Sequence, residues 1–150
     1  MARISEAPEG GKFRCKASAG LAGVAGAWGD GDLLGVLVDA NGELALGGLG
    51  TTEGIIWTPE GRKDSSKANY KQVQGGKFYT VLFRGILQDM EIGTSPTFGD
   101  GDKVYSAAAG DVTAATAVGA IFLGTIIDDW SKPAGVGLMM VINVMGKPVG

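Results

Sequence analysis

Histidine is absent from this chain of 150 residues. Its absence excludes Ser-His-Asp and Cys-His catalysis, and with them every zinc site that uses imidazole. Cysteine occurs once, as Cys15, so neither an intrachain disulfide nor a thiolate cluster can form; a lone thiol suits a reducing compartment. Charge is sparse, at 19% of residues with a net of −3, a balance that favours solubility and says little about partners. No basic stripe alternates with aromatics, so no nucleic-acid partner is expected. Long apolar runs are also missing. The longest, 112–127, is interrupted by Gly119, Gly124 and threonines and falls short of the roughly 20 residues a membrane helix needs. No membrane partner is expected, and the first residues lack the basic-then-apolar pattern of an export signal. An enzyme built from this set would have to work with carboxylates, lysine or tyrosine alone. No catalytic residue, cofactor or metal site is expected.

Glycine is abundant: 27 of the 150 residues, against the roughly 7% usual in proteins. It shows no three-residue period, which excludes collagen, and it falls between short apolar runs, where it serves tight turns. A five-residue block occurs twice. Trp28-Gly29-Asp30-Gly31-Asp32 returns as Phe98-Gly99-Asp100-Gly101-Asp102. The first copy continues through an apolar run to Asn41-Gly42-Glu43, the second through Lys103-Val104-Tyr105 to Ala109-Gly110-Asp111. Each reads as a turn, a short strand, a glycine-acid turn and a return strand, which is a β-hairpin with a tight entry. The first copy is two residues longer.

The rest of the chain supports a mainly β body, a small barrel or sandwich of short strands and hairpins with a flexible N-terminal arm. Residues 1–12 are polar, with Pro8 and Gly10-Gly11, and read as that arm. Residues 13–150 read as a single β domain containing two related units, at about 28–57 and 98–127. Strands are expected near 13–19, 33–39, 43–46, 54–58, 103–106, 112–117, 121–127 and 138–144. The longest is expected over 78–92, covered on both sides as far as Phe83 and bent at Gly85. Residues 59–75 change character, with Glu60, Arg62, Lys63, Asp64, Lys67 and Lys71. They read as a charged surface loop or a partner-binding excursion.

The paired aspartates invite a metal reading, since hard cations want several oxygens. The residues after Asp32 and Asp102 turn apolar at once, however, and Asp beside Gly is ordinary turn chemistry. Two carboxylates could also run glycoside hydrolysis without histidine. Neither copy supplies the apolar wall that would raise one carboxyl pKa. Trp28, Trp57 and Trp130 lie at strand edges and read as core or interface anchors.

The second half carries a resemblance. Gly101-Asp102-Lys103-Val104-Tyr105, then Ala109-Gly110-Asp111-Val112-Thr113, then Val118-Gly119 and Leu123-Gly124-Thr125, resembles the capsid decoration (cement) proteins of tailed bacteriophages. It covers about residues 78–145. The first half is similar more weakly, through Gly31-Asp32-Leu33-Leu34-Gly35 and Gly54-Ile55-Ile56. The resemblance implies a structural virion protein, assembled in the host cytoplasm, that binds the exterior of the head through the major capsid protein and stabilises it. It further implies a homotrimer at local three-fold positions. By the same resemblance the capsid contacts would include Arg3, Ile4, Phe13 and Arg14, ordered on binding. The alternative reading is a β-barrel binding module of a phage tail or fibre that recognises a carbohydrate or cell surface.

Overall fold

The computed structural model describes residues 3–6, 10–21, 33–57, 75–90, 101–128 and 138–144. They form two antiparallel sheets stacked as a small sandwich. In chain order the strands are β1 (Arg3–Glu6), β2 (Lys12–Lys16), β3 (Leu33–Val38), β4 (Leu44–Leu46), β5 (Gly54–Trp57), β6 (Phe78–Leu82), β7 (Arg84–Met90), β8 (Lys103–Ser106), β9 (Val112–Thr113), β10 (Phe122–Asp128) and β11 (Leu138–Asn143). One sheet has the order β1-β7-β11-β10-β8-β9, the other β2-β6-β5-β3-β4. A 3-10 turn lies at Ala108–Gly110. Among the described residues no helix is long and apolar enough to cross a membrane. The charged segment at 59–74 lies outside the described residues.

The architecture is a sandwich, and of the two forms the sequence allows, the closed barrel is not the one adopted. The five-stranded sheet nevertheless curls until its edges meet at one parallel bridge, Ala17 to Leu44, with the Ser18 N–H donating to the Leu44 carbonyl at 3.0 Å. A closed barrel would need a continuous ladder along that seam. The curl explains why there are two cores. Cys15, Leu34, Val36, Leu44, Ile56, Tyr79 and Val81 pack on the concave face of this sheet. Leu33, Ile55 and Leu82 point the other way and meet Leu87, Val104, Val112, Leu123 and Ile126 of the second sheet. Strands buried on both faces cannot alternate apolar and polar residues, which is why β3 reads Leu-Leu-Gly-Val-Leu-Val.

Cys15 belongs to the curled core, 7% exposed. Its thiol donates to the Gly42 carbonyl at 3.2 Å. Burial pushes the thiol pKa up, against a smaller lowering by the Lys16 backbone contact, and the Asp39 and Glu43 carboxylates add to the rise.

One long strand joins the sheets. β6 lies in the five-stranded sheet and β7 in the six-stranded sheet, with an interruption at Phe83 and a φ of +149° at Gly85, where the bend is expected. Leu82 and Leu87 both enter the inter-sheet core, although an odd spacing would put them on opposite faces of an unbroken strand. The interruption resets the phase.

The two related segments pair alike. β3 is flanked by β4 and β5, and β8 by β9 and β10. Their closing loops also match. The Asp39 N–H donates to the Glu43 carbonyl at 2.8 Å and the Ala107 N–H to the Asp111 carbonyl at 2.9 Å. The two extra residues of the first copy therefore lengthen its central strand, six residues in β3 against four in β8. They do not lengthen its loop.

Candidate interaction surface

Two strands of the N-terminal segment pair with β6 and β7. β1 pairs antiparallel with β7, Arg3 opposite Gln88 and Ile4 opposite Leu87. β2 pairs antiparallel with β6, from Lys12 opposite Leu82 to Lys16 opposite Phe78. Between them the Gly11 carbonyl accepts both the Phe83 and the Arg84 N–H, at 3.0 and 3.2 Å, so the ribbon turns where its partner turns. The segment expected as a flexible arm thus contains strand β1. A sequence reading of polar residues with Pro8 and two glycines cannot foresee it, because an edge strand takes its order from its neighbour's backbone.

β1 is an edge of the six-stranded sheet. Edge strands carry a row of backbone donors and acceptors on their outer side and are where another chain can add a strand. β2 presents side chains. Alternation puts Lys12, Arg14 and Lys16 on one face, and all three are exposed. Lys16 reaches Glu43 at 3.5 Å. On the same face of β6, Phe78 is 57% exposed. Phe13 is on the opposite face of β2, 37% exposed, with its ring centroid 5.9 Å from that of Phe83 at an interplanar angle of 47°.

Arg3, Ile4, Phe13 and Arg14 therefore share one ribbon but not one sheet: the first two lie on β1, the last two on β2. Missing from that set are Lys12, Lys16 and Phe78. The cations were within reach of period-2 alternation in Lys-Phe-Arg-Cys-Lys. Phe78 was not, since aromatics are mostly placed in cores.

No protein-family model matches the chain, and no curated protein matches it. A solved chain from Mycobacterium phage Patience is similar in structure, with a TM-score of 0.65 at 13% sequence identity, over 98% of this chain and 97% of that one. The likeness runs end to end and shows the fold.

The remaining candidate groups are distributed as follows. Trp28, Asp30, Asp32, Phe98, Asp100 and Trp130 lie outside the described residues, as does the side chain of Trp57. Gly101 takes a φ of +84° and donates its N–H to the Ile126 carbonyl at 2.8 Å, while the Ile126 N–H donates to the Asp102 carbonyl at 2.8 Å. Gly101 and Asp102, the described residues of the two copies, are thus tied to β10 through main-chain hydrogen bonds. Among the described residues no group of three or more Cys, Asp or Glu is arranged to hold a metal ion.

Two further exposed apolar side chains lie on neighbouring loops. Val118 is 80% and Leu49 38% exposed. Their loops are tied together: the Leu49 carbonyl accepts the Ser106 hydroxyl and the Ile121 N–H at 3.2 Å.

Proposed function

We propose that this chain is a structural virion protein that binds the exterior of a tailed-phage capsid and stabilises the head, as a trimer at local three-fold positions. The observation that carries the reading is the likeness in fold, from one end to the other, to a chain of a Mycobacterium phage. The ordered motifs of the second half, which resemble decoration proteins, support it independently. The partner is the major capsid protein. The N-terminal ribbon supplies the contact, with Arg3 and Ile4 on the edge strand β1 adding backbone hydrogen bonds to a capsid strand, and Phe13 and Arg14 adding side-chain contacts from β2.

The test is direct. Heads of the phage that encodes this chain, assembled without it, are mixed with the purified protein. Saturable binding in many copies per head, together with a higher temperature of head disruption, is the expected result. Heads that bind none of it at any concentration overturn the reading.

A further inference from the structure

We infer that the face of β2 carrying Lys12, Arg14 and Lys16 is a recognition strip for an acidic protein surface. This rests on the capsid-binding reading and names the chemistry of the partner's contact.

Three observations carry it. First, the cations are evenly spaced on one rigid support. Alternate residues of a strand stand about 6.8 Å apart, and β2 is held to β6 by five consecutive register pairs. The spacing equals that of carboxylates on alternate residues of an extended partner segment. Second, the strip opposes the sign of the chain, whose net charge is −3. Among the described residues Lys16 alone of the three has a carboxylate partner, Glu43. Lys12 and Arg14 have none there. Third, Phe78 stands on the same face opposite Lys16, 57% exposed. An exposed aromatic between basic side chains gives a contact both apolar area and charge.

Edge-strand cations also discourage strand pairing between copies. That role concerns the main-chain edge of β2, which just past Lys16 meets Leu44 through the single bridge at Ala17; it gives no reason for an exposed Phe78 on the same face. Nucleic acid is the weaker occupant. A chain of net negative charge repels a polyanion at a distance, whereas a folded acidic surface offers discrete carboxylates and an apolar patch for Phe78.

The experiment compares the intact protein with two double variants, Lys12→Glu/Arg14→Glu and Lys12→Gln/Arg14→Gln. Both leave the Lys16–Glu43 pair in place. Binding to undecorated heads is followed at 50 and 500 mM NaCl, with a single-stranded oligonucleotide as a parallel ligand. Thermal melts establish that the variants are folded. At low salt the charge reversal should weaken head binding about tenfold or more and the neutral pair by less, and the gap should close to about threefold or below at high salt, where the Debye length is short. Phe78→Ala should weaken binding at both salt concentrations alike. Heads that bind the intact protein and both double variants equally overturn the strip and leave the capsid reading standing. Loss of oligonucleotide binding alone assigns the cations to nucleic acid and likewise overturns it. Heads that bind none of the proteins remove the capsid reading and the strip together.

Discussion

The β3-β4-β5 unit and the β8-β9-β10 unit have the same strand order and closing loops of the same length, yet they hold their loops by different means. In the first, the turn is written in its own side chains. The Asp39 Oδ1 accepts the Asn41 N–H at 2.9 Å and the Glu43 N–H at 3.0 Å. The Gly42 N–H donates to the Asp39 carbonyl, and Gly42 takes a φ of +75°. This is a type I turn closed by a left-handed glycine. In the second unit Ala107 stands where Asp39 stands, and Ala109 is left-handed at a φ of 58°, which costs an alanine about 1–2 kcal/mol. What holds this loop is the first unit. The Gly110 N–H donates to the Gly47 carbonyl at 2.8 Å, and Gly110 is buried. One loop faces outward and depends on local chemistry; the other is docked and depends on tertiary packing. Two copies of a motif fused into one body cannot keep equivalent surroundings, and the copy that becomes the interface is free to lose its turn chemistry.

Equivalent substitutions should break this comparison most sharply at the paired glycines. A methyl group on Gly110 would lie 2.7 Å from Leu34 Cδ1, 2.8 Å from Leu46 Cδ2 and 3.1 Å from the Gly35 carbonyl oxygen; on Gly42 it would meet nothing within 4 Å. Both have positive φ, at +78° and +75°. Gly42→Ala should therefore lose only the backbone cost, about 1 kcal/mol, while Gly110→Ala adds overpacking for a total of about 3 kcal/mol. Urea unfolding of the two variants measures the difference. Equal losses would mean that the second loop is no more docked than the first.

Ser106 tests the same docking from the other side. It is 1% exposed, accepts the Ile121 N–H at 2.8 Å and donates to the Leu49 carbonyl. Its counterpart at the end of the first unit's central strand, Val38, has its N–H held by the Glu53 carboxylate at 3.0 Å in an exposed position. Ser106→Ala should cost about 1.5 kcal/mol, because the Ile121–Leu49 hydrogen bond survives to satisfy part of the site. Amide exchange at Ile121 should speed up by more than at Val38. A loss confined to global stability, with no change in local exchange, would show that the two loops are not joined through this hydroxyl.

How far all this was legible follows from where the information lies. β3, β5, β8, β10 and β11 lie close to the apolar runs that announce them, because those runs are bounded by glycine and acidic turn residues. The duplication of Gly-Asp-Gly-Asp marked two units that the strand pairings show to be ordered alike. The left-handed Ala109, among the described residues the non-glycine position with positive φ, did not follow, being set by packing rather than by propensity. Nor did the insertion of β11 between β7 and β10, the curl that brings Ala17 to Leu44, or the strand at Arg3–Glu6. Each depends on pairings distant in sequence, on which local periodicity is silent. The placement of Lys12, Arg14 and Lys16 on one face was legible from alternation, and the exposure of Phe78 was not.

The turn chemistry can be exchanged at smaller cost. Asp39→Ala gives the first loop the residue that the second already has and removes two accepted N–H bonds, a loss of about 1 kcal/mol at this partly exposed site. Ala109→Gly works in the opposite direction. It relieves the left-handed alanine but raises the entropy of the unfolded chain, for a net gain of about 0.5 kcal/mol. Thermal melts of the two variants should move to opposite sides of the parent. Movement in the same direction would undo the distinction between a self-held and a docked loop.

The smallest contrast is electrostatic and falls on the loops' last residues, Glu43 and Asp111. Glu43 pairs with Lys16 at 3.5 Å. Asp111 has no cation partner among the described residues, and partial desolvation raises its carboxyl pKa. A carboxyl whose folded pKa lies above its unfolded value binds its proton more tightly in the folded state. Its ionisation therefore removes stability as pH rises from the unfolded value, about 3.9, through the raised folded value. Below that window the penalty is absent. Asp111→Asn should accordingly stabilise slightly at pH 7 and have no such advantage at pH 3.5. The side chain is largely solvated, which keeps the effect small. Glu43→Gln should do the reverse at pH 7 and cost about 0.3 kcal/mol, the ordinary worth of an exposed ion pair. The difference in stability between Asp111→Asn and the parent, followed from pH 3.5 to 7, isolates this carboxyl from the rest of the acid transition. If Asp111→Asn destabilises at pH 7 as Glu43→Gln does, docking has not changed the electrostatics of the second loop.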